Sequence, residues 1–331
     1  MDTKALSERI RSLIAKVDEL RTQLQDRFHG QDETVERLIL AVLAGGHVLL
    51  EGAPGLGKTT LVHALADGVR LDFQRLQCTP DLMPSDIVGG RILGNLDGDD
   101  AEDGPFKLVK GPVFTNVLLA DEINRATPRA QSALLEAMQE RQVTLYDRTH
   151  PLSAPFFVVA TQNPIEMEGT YPLPEAQLDR FLFKLELELP PLSDVCEILG
   201  MTTGAAPKDA SPRFDRDELL ELQALVREVT APSDVIERVG RLVLATHPGN
   251  GTAPAAVRDA VRYGSSIRGG QAILLASKAR ALLRGATNVS MEDVESVAVP
   301  ALRHRLVPSF EGEAAGFDAD AVARAVLEAT V

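Results

Sequence analysis

"GAPGLGKTT", residues 52–60, packs three glycines and a proline into six positions, a composition no helix interior tolerates. The apolar run "HVLL" and Glu51 precede it, and "LVHALADGV" follows at helical spacing. The order is strand, loop, helix, and Gly52-x-x-x-x-Gly57-Lys58-Thr59 is a complete P-loop pattern. Glycines let consecutive backbone N–H groups turn inward as an anion nest. The following helix offers its unsatisfied N-terminal N–H groups and positive dipole end to phosphate. Lys58 adds a point charge toward the β and γ phosphates, and the Thr59 hydroxyl is a ligand for Mg²⁺. The expected ATP-binding residues are therefore Gly52, Ala53, Pro54, Gly55, Leu56, Gly57, Lys58, Thr59 and Thr60.

Outward from the loop, short apolar runs alternate with helical stretches from "HVLLE" to "FKLELEL". "FQRLQ", "NVLLAD" and "FFVVATQ" read as strands. "VLLA" and "FFVVA" are continuous enough for a parallel sheet covered on both faces. "TPRAQSALLEAMQE" between them reads as a helix, which makes a doubly wound α/β domain. The strand in "NVLLADEINRA" ends in Asp121 and Glu122, which period-two alternation points in different directions. After a P-loop, Asp121 is placed for the Mg²⁺ shell and Glu122 to polarise an attacking water, which favours hydrolysis over kinase chemistry. Without that loop, the pair would read as a solvated strand end. "VVATQNP" puts Gln162 and Asn163 at another strand's C-terminal edge, where open α/β sheets bind ligands. Asn163 is suited to hold the lytic water; the plainer reading is a turn-forming Asn before Pro164.

Two segments interrupt the alternation. Residues 89–114 have short strands around a Gly/Asp tip, and "QVTLYDRTHPLS" reads as a second hairpin. "LPPLSD" then ends the pattern, and the remainder reads as helices, with Ser290 and Asp293 in capping-box spacing. The expected division is an N-terminal helix (1–27), an α/β core (28–190) and a helical domain (191–331). In the first helix Leu6, Ile10, Leu13, Val17, Leu20 and Leu24 form a seam, with Ile14 beside it. That seam packs on its own domain or on another chain.

The chain has 331 residues, 44% of them hydrophobic and 25% charged, which fits a globular protein of about two domains. A net charge of −14 argues against nucleic acid or an acidic membrane as a general partner. "DGDDAEDG" (97–104) fails the EF-hand spacing. Cys78 and Cys196 form no CxxC pair and fit free thiols in a reducing compartment. With no apolar segment at the start and no long apolar run, a cytoplasmic protein without a membrane span is expected.

"GQDETVERLILAVLAGGHVLLEGAPGLGKTTL", "QCTPDLMPSDIVGG", "LLADEINRATPRAQSALLEAMQERQVTL" and "FFVVATQNPIEMEGTYPLPEAQLDRFLFKL" resemble the MoxR family of AAA+ ATPases almost throughout. The family belongs to the helix-2-insert clade with magnesium chelatase and the minichromosome maintenance helicases. The resemblance spans residues 28 to 310. It implies an AAA+ P-loop αβα sandwich with a parallel sheet and β-hairpin insertions, followed by a small all-α lid domain. It makes Gly52–Thr60 Walker A, Asp121–Glu122 Walker B and Asn163 sensor 1. It makes Arg180 in "LDRF" the arginine finger that reaches a neighbouring subunit's nucleotide; Arg180 also stands beside Asp179, where a local ion pair is the alternative. Arg268 in "YGSSIRGG" falls at the sensor 2 position, although the family's Ser-Pro-Arg-Ala is altered by Ile267 and Gly269; a solvated helix face is the alternative. Gly30 and Gln31 match the segment lining the adenine pocket, mainly through backbone. Arg125 and Arg129 follow Walker B, as contacts to the next subunit or as surface charge. Cys78 stands where the family often has an aromatic or aliphatic residue.

By the same resemblance ATP sits between core and lid and against a neighbour's Arg180, in a homo-oligomer expected to be a hexameric ring. Hydrolysis then remodels a protein client, in complex assembly or metal cofactor insertion, together with a separate von Willebrand factor A domain protein. Two relatives of the same clade are rivals: a magnesium chelatase-type motor subunit and a DNA-translocating ATPase. Against the second, the 89–114 hairpin sets Arg91, Lys107 and Lys110 against Asp97, Asp99, Asp100, Glu102 and Asp103. A third rival, a module that uses ATP only as a structural ligand, is disfavoured by Glu122 and Arg180.

Overall fold

A computed structural model describes residues 3–93, 106–146, 148–164, 169–203 and 213–330. Helix α1 (Thr3–Gln25) buries Leu13, Val17, Leu20 and Leu24 against α2 (Asp32–Ala44) and α3 (Lys58–Gly68). The seam read from the sequence is thus covered by its own chain over its last four members, while Leu6 stays 40% exposed.

Strands β1 (Val48–Gly52), β2 (Phe73–Gln77), β5 (Val117–Asp121), β8 (Phe157–Gln162) and β9 (Phe183–Leu187) form one parallel sheet in the order β2-β5-β8-β1-β9. Alternate residues of each central strand enter two separate cores. Val48, Leu50, Leu119 and Val159 face one, and Leu49, Leu118, Val158 and Ala160 face the other. Both faces are therefore dry, which accounts for the unbroken apolar runs. Between the sheet strands lie α4 (Pro84–Val88), the hairpin β3 (Gly89–Leu93) and β4 (Phe106–Lys110), α5 (Pro128–Glu140), the hairpin β6 (Gln142–Leu145) and β7 (Arg148–Pro151), and α6 (Glu175–Leu178). Both predicted hairpins form. The Gly/Asp tip of the first, residues 94–105, lies outside the described residues, and so do all five of its counted acids.

Beyond β9 come α7 (Leu192–Thr203), α8 (Arg216–Glu228), α9 (Ser233–Ala245), α10 (Ala255–Ala260), α11 (Ile267–Leu283), α12 (Met291–Leu302), α13 (Phe310–Ala314) and α14 (Ala319–Thr330). A two-stranded pair, β10 (Val261–Tyr263) with β11 (Val307–Pro308), interrupts a region read as wholly helical; three residues carry no visible period. The predicted Ser290–Asp293 capping box forms. Asp293 is fully buried and pairs with Arg280 at 2.8 Å and Arg284 at 2.7 Å, joining α11 to α12. The apolar core on the α2 side of the sheet continues without a break into α8, α9, α11 and α12.

Candidate functional site

The C-terminal ends of the sheet strands collect the predicted site. Gly52 closes β1 so near β9 that a Cβ there would sit 2.8 Å from the Leu187 carbonyl oxygen. Gly57 caps α3 at φ 77°, in the left-handed region that favours glycine. The loop so formed leads straight into α3, whose first residue is Lys58. Lys58 Nζ donates to the Gly52 carbonyl at 2.6 Å, arching over the loop. Burial lowers its pKa, opposed by the charges of Asp121, Glu122 and Glu51.

Strand β8 lies between β1 and β5, so Asn163 emerges between the P-loop and the acidic pair, and it is buried. One residue earlier in β8 than Gln162, Thr161 is fully buried and organises that pair. Its hydroxyl donates to Asp121 Oδ1 at 2.6 Å and accepts the Glu122 N–H at 2.8 Å. Arg75, on β2, donates to Asp121 Oδ2 at 2.7 Å. The two carboxylates diverge for a different reason from the one read in the sequence. β5 ends at Asp121, and Glu122 turns into left-handed backbone at φ 56°, ψ 51°, a strained conformation for a non-glycine residue. The Glu122 carboxylate accepts from Gln77 at 3.1 Å and pairs with Arg125 at 3.0 Å. Thr161, Arg75 and Gln77 were not foreseen. Gln77 and Thr161 at the ends of strands were a signal, since that edge is where open sheets bind ligands.

Gln31 caps α2 and donates its amide to the Glu188 carbonyl at 2.9 Å, so its side chain ties the segment down. Gly30, at φ 72°, approaches Pro190 and Asp194 so closely that a Cβ would overlap both. Phe28 lies against Gly57, which brings residues 28–31 alongside the P-loop. A cavity of about 380 Å³ borders Gly30, Gln31, Thr34, Pro190 and Arg303.

Residues here fit a hard divalent cation. Asp121 and the Thr59 hydroxyl are oxygen donors, and the field of three carboxylates at Lys58 favours added positive charge. Among the described residues no group of three or more His, Cys, Asp or Glu is placed to hold a metal ion.

Arg180 and Arg268 stand on the other edge of the sheet. Arg180 precedes β9, and Leu182 N–H donates to the carbonyl of His47, the residue before β1. The five residues of β1 then separate this edge from the P-loop by about 16 Å. Arg180 Nη1 donates to the Leu135 carbonyl at 2.5 Å, and the ion pairs of Asp179 go to other arginines. Asp179 binds Arg305 Nε at 2.9 Å and Arg268 Nη1 at 3.3 Å. Ser266, which caps α11, also donates to Asp179. Arg268 is half exposed and lines one shallow cavity with Arg180. This corner puts Arg268 beside Arg180 and away from its own P-loop. Arg129 is exposed on α5.

Comparison with known proteins gives this arrangement its place. Residues 47–183 match the ATPase family associated with various cellular activities (AAA), and residues 253–326 match the AAA lid domain. Chaperone MoxR1 of Mycobacterium tuberculosis is 43% identical over 90% of this chain and 78% of its own length. The chain belongs to the MoxR family of AAA ATPases. The protein YeaC of Bacillus subtilis is 42% identical over 88% of this chain and 87% of its own. A crystal structure from Cytophaga hutchinsonii, provisionally described as an ATPase, superposes with a TM-score of 0.91 at 37% identity, over 100% of this chain and 98% of the other. As a member of the family, the chain binds and hydrolyses ATP. Among the described residues no helix is long and apolar enough to cross a membrane.

Proposed function

We propose that this MoxR-family ATPase works as a ring of identical subunits, each hydrolysing ATP against its neighbour, to remodel a protein client in a chaperone role. One observation carries the reading. The P-loop and acidic pair lie on one edge of the sheet and Arg180 with Arg268 on the other, so one chain cannot bring both sets to one nucleotide. The chaperone role is the one named for the M. tuberculosis relative.

In this reading the loop N–H groups and Lys58 hold the phosphates, and residues 28–31 border the base. Thr59 and Asp121 hold Mg²⁺, which neutralises charge on the phosphate oxygens when bound. Glu122, once released from Arg125 and Gln77, takes a proton from the attacking water, which Asn163 orients. Arg180 of the adjacent subunit stabilises the charge developing on the γ-phosphate, with Arg268 beside it as a second cation. A von Willebrand factor A domain protein is the expected separate partner, and a hexamer the expected ring.

The test mixes two nearly inactive variants, Lys58→Ala and Arg180→Ala. Some interfaces in a mixed ring pair an intact P-loop with an intact Arg180, so turnover returns in part. Mixed rings that form but recover no activity would show that Arg180 does not act in trans. A Glu122→Gln chain loaded with ATP is expected to retain the client in a pull-down. A magnesium chelatase-type motor is the alternative that the sequence resemblance implies, and a chelatase assay with partner subunits separates the two. Net charge −14 weighs against DNA translocation, which a salt-dependent DNA titration tests.

A further inference from the structure

Arg303, His304 and Arg305 form a single 3-10 turn after α12, and each is less than a tenth exposed. Three consecutive buried polar side chains need partners, because arginine is almost never buried unless paired. Arg303 reaches Asp320 of α14 at 2.6 Å. The other two converge on the corner that contains Arg180. His304 Nε2 donates to the Phe181 carbonyl at 3.1 Å. Arg305 donates to the Asp179 carboxylate at 2.9 Å, the Asp179 carbonyl at 2.9 Å, the Phe181 carbonyl at 2.6 Å and the Leu182 carbonyl at 3.3 Å. It also donates to the Ala301 carbonyl in the last turn of α12. One guanidinium from the helical domain therefore grips the backbone on both sides of Arg180.

We infer that Arg305, anchored by Asp179, is a positioning residue that sets the Arg180 guanidinium and transmits movement of the helical domain to it. The inference rests on the proposed action of Arg180 on a neighbour's nucleotide. Arginine suits the task because its planar fork carries five donors directed at separate acceptors, whereas a lysine ammonium is one point charge. The Asp179 carboxylate ties a second element of the same domain to the corner, since Ser266 at the start of α11 donates to both its oxygens at 2.9 Å. Arg268 contributes the weakest member, one contact at 3.3 Å from a half-exposed side chain. Arg268 is thus free to exchange partners while Arg305, with its side chain 3% exposed, stays in place. A shift of the helical domain is felt at residues 179–182 through these bonds, while His47 and Leu135 of the α/β core hold the same segment from the other side, so Arg180 sits at the joint between the two.

The experiment uses the full chain and the Arg305→Lys variant, which keeps the charge but loses the fork. Nucleotide titration is expected to match wild type, with KM little changed. kcat is expected to fall by up to roughly 100-fold, the cost that a misplacement of about 1 Å can carry. Mixing with Lys58→Ala should then restore turnover as far as the Arg180→Ala and Lys58→Ala mixture does, because the defect lies only in the subunit that donates the arginine. Wild-type kcat for Arg305→Lys, in an assay where Arg180→Ala is inactive, overturns the inference. So does a mixture that recovers nothing while the Arg180→Ala mixture recovers. Failure of the Arg180→Ala mixture itself removes the underlying reading and the inference with it. If Arg305→Lys melts below the assay temperature, Asp179→Asn carries the same test from the other end of the clamp, with the same outcomes for and against.

Discussion

Thr161 donates its hydroxyl proton to Asp121 across the junction of two parallel strands, at 2.6 Å and with no exposure to solvent. The same oxygen accepts the backbone N–H of Glu122 at 2.8 Å. One side chain on β8 therefore sets both acidic residues at the end of β5, and holds Glu122 in its left-handed conformation.

Replacing Thr161 by Val keeps the shape and removes both bonds. The buried acceptor and donor left behind cost on the order of 1–3 kcal/mol each. With that anchor gone the Glu122 carboxylate is no longer held in place, and we expect kcat to fall about tenfold or more with nucleotide affinity nearly intact, since a displacement of about 1 Å can cost roughly 100-fold. Thr161→Ser retains the hydroxyl and is expected to retain activity. Steady-state kinetics of the two variants side by side check this; equal activity of Val and Ser variants would remove the hydroxyl from the account.

Lys58→Ala and Glu122→Gln are expected to fail differently. In the proposed mechanism Lys58 meets phosphate in the ground state, so its loss is expected to abolish binding. Glu122 is proposed to act on water, so Glu122→Gln is expected to bind ATP and barely turn it over. Equilibrium binding of a labelled nucleotide together with a turnover assay separates them. A comparable loss of affinity in both variants would contradict the assignment.

Asp293→Asn should destabilise the helical domain. Burial raises the pKa of Asp293, but hydrogen bonds from Arg284, Ser290 and Arg280 outweigh it and bring the value down to about 2. The arginines left behind are partly exposed and Arg280 keeps Glu292, so the cost is about 1–3 kcal/mol, that of charged hydrogen bonds lost at a buried acceptor. A depressed carboxylate pKa contributes stability above the unfolded value near 4, lost as pH falls through the folded value near 2. Thermal melting of the variant and of wild type at neutral pH is the measurement, and a Tm within a degree of wild type would refute the cost.

His47 makes stability depend on mild acid. Burial pushes its pKa down to about 4, and its ring bridges the Val158 N–H and the Met138 carbonyl. The unfolded chain takes up a proton below about pH 6.5, whereas the folded chain resists until about pH 4. Stability from this group is complete above pH 6.5 and lost as pH falls toward 4, by roughly 2 kcal/mol at pH 5. His304, also buried and held well below its usual pKa, acts in the same direction. Denaturant titrations at pH 7.5 and pH 5 should show a smaller loss for His47→Gln than for wild type. Parallel losses would exclude His47 as a source.

The sequence alone determined the P-loop, the acidic pair, the buried parallel strands, both hairpins and the capping box at Ser290, because each is a local pattern. Glycine spacing, uninterrupted apolar runs and capping residues express backbone preferences that need no distant partner. Even Thr161 and Gln77 were within reach, as polar residues at strand ends. Tertiary structure alone decided the strand order, which inserts β8 between β1 and β5 and so lets Thr161 meet Asp121, 40 residues away in the chain. It decided that Glu122 leaves the strand by a left-handed turn, a conformation no alternation rule supplies. It also decided that Arg305 closes on Asp179 over a separation of 126 residues and that Arg268 joins Arg180 on the edge away from the P-loop. Such contacts depend on how helices and sheet pack, where burial favours any pairing that satisfies a polar group and the linear sequence does not say which partner is near.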